Sequence, residues 1–370
     1  MMEITIPYYE DKTRISNSNI GWFLNKGPAF LHKMLTEDVP EEKNPVLERG
    51  TMIHEYILQP EEFQKDYVVW DKSRPNSAQQ EKFCQALAFS TEIEPNRAIL
   101  DAYKQAYSTA GKSEDKMLSE GLKIASTLKD YIDFLKANDG RIMISPWDVK
   151  MLEKIKKNIQ SHKLADKIIW PIGKDKTYSI DGIMKQINSI SFIVDETGHP
   201  VENIMSFHEF HINWEYEFDT FYDKRSLPED VIHIVIKCKS LLDGLTLDFK
   251  NKIATIYDLK TTAKLWHFEE SIEMYDYGRQ IAYYKNAVWW YLKNECDEDP
   301  NDWNFKYYII GIDTTGSYEI RVFEIQEQLI VDRNKIILEA MLKIGWHQEH
   351  NLWDHSREYY EGDGSESLNL

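Results

Sequence analysis

The stretch Ile236–Lys260, IKCKSLLDGLTLDFKNKIATIYDLK, decides how this 370-residue chain is read. Leu245 and Leu247, and then Ile253, Thr255, Tyr257 and Leu259, alternate with other residues, while Asp248-Phe249-Lys250-Asn251 lies between the two runs. That pattern predicts a β-hairpin with a short turn. Asp243 is expected to open the first strand. Asp258 and Lys260 close the second, and because strand side chains repeat with period two, both face one side of the sheet and Leu259 the other. Arms of about five residues allow the register to bring Asp243 back beside them. Two converging carboxylates repel each other, and a hard divalent cation such as Mg²⁺ relieves that repulsion. Lys260 beside such a cation can orient or help deprotonate a water and stabilise charge on a phosphoryl group. The pattern Asp, fourteen residues, Asp-Leu-Lys therefore points to phosphodiester hydrolysis. The same residues on a surface hairpin would make only an ion pair, so the rest of the chain has to decide.

Composition narrows the choice. Hydrophobic residues at 42% and charged residues at 29% describe a globular protein, with no run near the ~18 apolar residues of a membrane span. The opening MMEITIPYYEDKTR lacks a basic segment followed by an apolar core, so the cytoplasm is the expected compartment. Cys84, Cys238 and Cys296 are too few and too scattered for a disulfide framework, a zinc ribbon or a four-cysteine cluster. A net charge of −18 argues against a broad electrostatic grip on a polyanion, so any contact with nucleic acid must be local.

Taken in order, RISNSNIGWFLNKGPAFLHKML reads as two short helices, with Ser16 or Asn17 as N-cap and Gly27-Pro28 as the break. NPVLERGTMIHEYILQPEEF gives a helix whose buried stripe is Leu47, Met52, Ile53, Tyr56 and Ile57. Gly50 allows a close backbone approach there, and His54, one turn later, can point into the same crevice. Residues 71–170 read as helical and lysine-rich. Lys150, Lys154 and Lys157 share one face of the helix that starts at Ser145-Pro146, a face that could track phosphates or simply meet solvent. Residues 171–230 hold short strand-like pieces. Glu209 in EFHINW is a candidate further acid, with Glu215 and Glu217 competing for the role. After Lys260, a helix carries Tyr277, Ile281, Tyr284, Val288 and Leu292 along one side. Gln280 and Tyr284 lie one turn apart and could together hold a base, a phosphate or Lys260. NFKYYIIGIDTTG and YEIRVFEI form a second hairpin, followed by an amphipathic helix and a tail from about 358 that is expected to fray.

Four islands in this order, ISNSNIGWFLNKGPAF, ERGTMIHEYILQPEEF, LLDG…YDLKTT and QIAYY, resemble the PD-(D/E)XK nuclease superfamily. Within it they resemble the phage and prophage exonucleases of the RecE or exodeoxyribonuclease VIII type, relatives of the RecB nuclease domain. The resemblance implies an α/β, restriction-endonuclease-like core, a central mixed β-sheet flanked by helices. We expect one nuclease domain over 1–370, with a helical and irregular insertion at about 71–235. The resemblance further implies His54 and Asp243 as metal ligands, Asp258 as the bridging carboxylate, Leu259 as donor of a backbone carbonyl, Lys260 as the catalytic lysine, and Gln280 with Tyr284 as the Gln-x-x-x-Tyr motif. Mg²⁺ is the expected cofactor, with Mn²⁺ able to replace it. The implied reaction is exonuclease digestion of double-stranded DNA ends, 5′ to 3′, for a RecT-like single-strand annealing partner, with a ring-shaped homo-oligomer among the family's assemblies. Leu242 stands where the nominal Pro would be. Lys237, Lys239 and Lys264 are candidate DNA contacts near the acids. Two other readings compete: an endonuclease or helicase-associated nuclease, and a catalytically silent DNA-end-binding or protein-binding module on the same scaffold.

Overall fold

The computed structural model describes residues 6–39, 44–137, 139–171, 190–194, 200–221 and 231–365. Its helices are α1 (Asn17–Thr36), α2 (Pro45–Leu58), α3 (Pro60–Asp66), α4 (Ala78–Ala88), α5 (Pro95–Ala106), α6 (Glu114–Thr127), α7 (Lys129–Lys136), α8 (Pro146–Ser161), α9 (Ala165–Ile169), α10 (Phe268–Met274), α11 (Tyr277–Asn294), α12 (Glu327–His350) and α13 (Arg357–Glu361). The strands are β1 (Tyr67–Val69), β2 (Ile142–Ile144), β3 (Ile190–Val194), β4 (Pro200–Phe221), β5 (Val231–Asp248), β6 (Ile253–Thr262), β7 (Asn304–Asp313) and β8 (Ile320–Glu324). The chain divides into two compact units, Met1–Pro60 with Glu153–Leu370, and Glu61–Leu152.

The larger unit is built on a six-stranded mixed sheet in the order β3-β4-β5-β6-β7-β8. Neighbours are antiparallel except β6 and β7, which run parallel. A parallel pair needs a crossover, and α10 and α11 supply it. The inner side of α11, Ile281, Tyr284, Val288 and Leu292, is buried in one core with Phe207, Phe210, Ile212, Trp214, Leu242, Ala254 and Ile256 of the sheet. At the start of the chain, Ser16 caps α1 in a reciprocal box with Asn19, and Gly27, at φ 82°, breaks the helix before Pro28, which fits the sequence signals for both.

The smaller unit packs α4 to α7 around Phe83, Cys84, Ile99, Ala102, Tyr103, Met117, Leu128 and Ile132, with β1 and β2 as a parallel pair. Within the span 71–235 read as a helical and irregular insertion, α4 to α9 lie between Ala78 and Ile169, and Pro200–Phe221 and the first part of β5 are strands of the six-stranded sheet. Two expectations need correction. Leu47 is exposed, because the buried face of α2 is Met52, Ile53, Ile57 and Leu58. Asp243 does not open a strand; it lies well inside β5, which extends back to Val231. The tail carries α13 over Arg357–Glu361, and its last residues, 366–370, lie outside the described residues.

Candidate active site

The predicted hairpin forms with the expected turn, pairing Gly244–Asp248 with Ile253–Tyr257. Its last pair is Gly244 with Tyr257, so one step further the register sets Asp243 opposite Asp258. There the backbone ladder ends, and the Leu259 N–H instead donates to Asp243 Oδ2 at 2.6 Å. Gly244 is required at this point: a Cβ on it would lie 1.9 Å from the Tyr257 ring, which covers the glycine.

Across the other edge of β5, the β4/β5 ladder pairs every residue from Ile204 to Phe221 except Glu209. His208 pairs with Gly244 and Phe210 with Leu242, which leaves Glu209 facing Asp243. Glu209 has a φ of 49°, a left-handed conformation that costs a non-glycine residue about 1–3 kcal/mol. Its consequence is a change of phase. Phe207 and Phe210 are three apart and would face opposite sides of a regular strand, yet they stack at 4.3 Å on the same core. Leu242 and Leu245 on β5 join that core in the same way. The result is a row of carboxylates, Glu209, Asp243 and Asp258, on three adjacent strands at the point where alternation breaks.

Two helices close on this row. On α2, a Cβ on Gly50 would sit 3.2 Å from Thr261 Oγ1 of β6, and this close approach carries His54 Nδ1 to 3.5 Å from Asp243 Oδ2. His54, Glu209 and Asp243 each offer a ligand atom, all within 4.8 Å of one another. From α11, Gln280 Nε2 donates to Asp258 Oδ1 at 2.9 Å and to the Tyr284 hydroxyl at 2.8 Å. The other Asp258 oxygen lies 2.7 Å from Lys260 Nζ, and that ammonium sits 5.0 Å from the centre of the Tyr277 ring.

Burying this much charge shifts its titration. Burial, then Asp243, Asp258 and Glu55, pushes the Glu209 carboxyl up to about 9 against the pull of Lys260. Burial also raises Asp243, with Lys260 and the Leu259 N–H opposing it, and lifts Asp258 to about 6, with Lys260 again opposing. Burial pulls the Lys260 ammonium down, but Asp258 and Asp243 outweigh it and hold it above its ordinary range. His54 is lowered to about 4 by burial and by Lys260, with Asp258 and a backbone hydrogen bond to Leu259 opposing. It is therefore a neutral imidazole at pH 7, the form that binds metal. A neutral imidazole beside carboxylates that repel one another strongly enough to retain a proton is a donor set suited to a divalent cation.

No family model and no curated protein matches the chain. A crystal structure from Eubacterium rectale, named "Putative exonuclease", is similar at 12% identity over 97% of this chain and 91% of its own, with a TM-score of 0.44.

Of the residues picked from sequence, His54, Glu209, Asp243, Asp258, Lys260, Gln280 and Tyr284 are thus brought together, with the Leu259 backbone between Asp243 and His54. Glu215 and Glu217 lie further along β4, where Glu215 pairs with Lys237 and Glu217 with Val235. Lys239 needs correction as a DNA contact. It is buried, and its ammonium donates to the backbone carbonyls of Tyr8, at 2.5 Å, and Asp11, with the Tyr8 ring 4.7 Å away. Lys237 and Lys264 are exposed, as are Lys150, Lys154 and Lys157 on α8. Sequence reasoning missed Tyr277 as a neighbour of Lys260. Its only signal was its place one turn before Gln280 on the same helix.

Proposed function

We propose that this chain is a metal-dependent nuclease of the PD-(D/E)XK kind, hydrolysing phosphodiester bonds at DNA ends. The observation that carries the reading is the convergence of Glu209, Asp243 and Asp258 from three strands with Lys260 on the same strand as Asp258 and His54 from α2. His54, Glu209 and Asp243, with Asp258 beside them, would hold Mg²⁺ or Mn²⁺, which when bound supplies charge for a phosphoryl oxygen and a more acidic water. Lys260 keeps its proton among the carboxylates, so its part is to orient water and meet phosphoryl charge rather than to accept a proton. Gln280, anchored to Tyr284, fixes Asp258 in one orientation. Digestion 5′ to 3′ in support of an annealing partner is the finer reading, and it rests on the sequence resemblance.

The test is digestion of end-labelled linear and closed circular duplexes, each with Mg²⁺ or EDTA. An end-directed nuclease degrades the linear form with Mg²⁺ and leaves the circle intact. Equal cutting of both forms would make the enzyme an endonuclease, and no cutting with Mg²⁺ or Mn²⁺ would remove the proposal.

A further inference from the structure

The aromatic surface that begins at Lys260 does not stop at Tyr277. Tyr275 stacks on Tyr277 with ring centres 5.7 Å apart and planes 25° apart, while Tyr277 in turn lies against the Lys260 ammonium. Tyr277 is half-buried, but Tyr275 is 61% exposed and Met274 before it 76% exposed. Between the two rings Asp276 takes a left-handed φ of 50°, a conformation uncommon outside glycine. Its carboxylate is held by Arg333 of α12 at 2.6 Å and Arg279 of α11 at 3.3 Å, and Arg279 also donates to the Asn17 carbonyl at 2.8 Å. Two guanidiniums thus lock a strained turn whose effect is to set two rings nearly parallel, one against the ammonium of the candidate site and one open to solvent.

Resting on the nuclease reading of that site, we infer that Tyr275 is a stacking platform for an unpaired nucleobase. The substrate class it selects is a single-stranded or frayed terminus, with the phosphate at Lys260 and the base on Tyr275. A base inside a duplex has both faces covered by its neighbours, whereas an unpaired one offers a free π-face, and stacking of this kind accepts any base. The acidic chain favours such an arrangement, because ring stacking adds affinity without the basic footprint that the net charge of −18 makes scarce.

The experiment titrates the full chain in EDTA, which stops hydrolysis, with a single-stranded oligonucleotide carrying terminal 2-aminopurine. The parent is expected to quench the fluorophore. Tyr275→Ala is expected to bind roughly five- to a hundredfold more weakly, whereas Tyr275→Phe and Tyr275→Trp, which keep a ring, retain binding and quenching. With Mg²⁺, Tyr275→Ala should raise KM on overhanging ends more than on fully paired ends and leave kcat near the parent value. Parent-like quenching and KM in Tyr275→Ala would overturn the platform while leaving the nuclease reading intact. A parent that digests nothing yet quenches in a Tyr275-dependent way would keep the platform and remove the nuclease reading. Absence of both binding and digestion overturns both. If Tyr275→Ala melts below the parent, the Phe and Trp variants decide: loss of quenching in both refutes the stacking role, and retention supports it.

Discussion

Glu209→Gln should make the metal-free protein less sensitive to pH and weaken its hold on a divalent cation. Glu209 faces Asp243 on the adjacent strand, and its carboxyl is pushed up to about 9 by burial and then by Asp243, Asp258 and Glu55, against about 4.3 for a free glutamate. The folded protein holds this proton more tightly than the unfolded chain. Its stabilising contribution is therefore complete below about pH 4.3 and is lost as pH rises toward about 9. Glu209 and Asp243 are neighbouring carboxyls that titrate as a pair, so the loss expected between about pH 5 and about pH 9 is on the order of 1–3 kcal/mol. Glutamine keeps the shape and removes the titrating charge. Urea unfolding in EDTA across that range should show a falling profile for the parent and a flatter one for Glu209→Gln. The parent should also release protons on binding Mg²⁺, so its affinity should rise with pH. Parallel unfolding profiles for the two proteins would refute the assignment of Glu209 to the buried acid row.

Lys260→Ala should reduce hydrolysis by about 10²–10³-fold while Mg²⁺ still binds by calorimetry. His54→Ala removes a neutral ligand that water can partly replace, so it should need a higher Mg²⁺ concentration for half-maximal rate yet keep more activity than Lys260→Ala. Gly244→Ala would drive a Cβ to 1.9 Å from the buried Tyr257 ring, and urea unfolding should show a loss of about 1–3 kcal/mol or more.

Much of this site is legible in the sequence because local rules govern it. The period-two run of β6 sets Asp258 and Lys260 on one face, and the one-turn spacing of α11 sets Gln280 beside Tyr284. Gly50 and His54 are readable for the same reason. Glu209 could be named only as one of three acids, since alternation along β4 would place Glu209, Glu215 and Glu217 alike. What singles it out is the left-handed turn of the backbone at that residue, which is fixed by tertiary packing and has no sequence signal. Lys239 shows the opposite failure. Its place near the acids suggests a DNA contact, but the segment before α1 runs beside β5, with Ile15 bridged to Cys238, and the carbonyls of Tyr8 and Asp11 take up the ammonium. The turn at Asp276 is likewise set by Arg333, far along the chain.

If Glu209, Asp243, Asp258 and Lys260 carry out metal-dependent phosphodiester hydrolysis as proposed, Asp258→Asn should abolish it. Asparagine keeps the shape and can still accept from Gln280 at Oδ1, while it gives up the charge that meets Lys260 and supports a cation. Digestion of a linear duplex by the parent and by this variant, measured beside Mg²⁺ calorimetry, should show a folded variant with weakened metal binding and no detectable cleavage. A variant that binds Mg²⁺ and degrades DNA like the parent would remove Asp258 from the reaction and the proposed site with it.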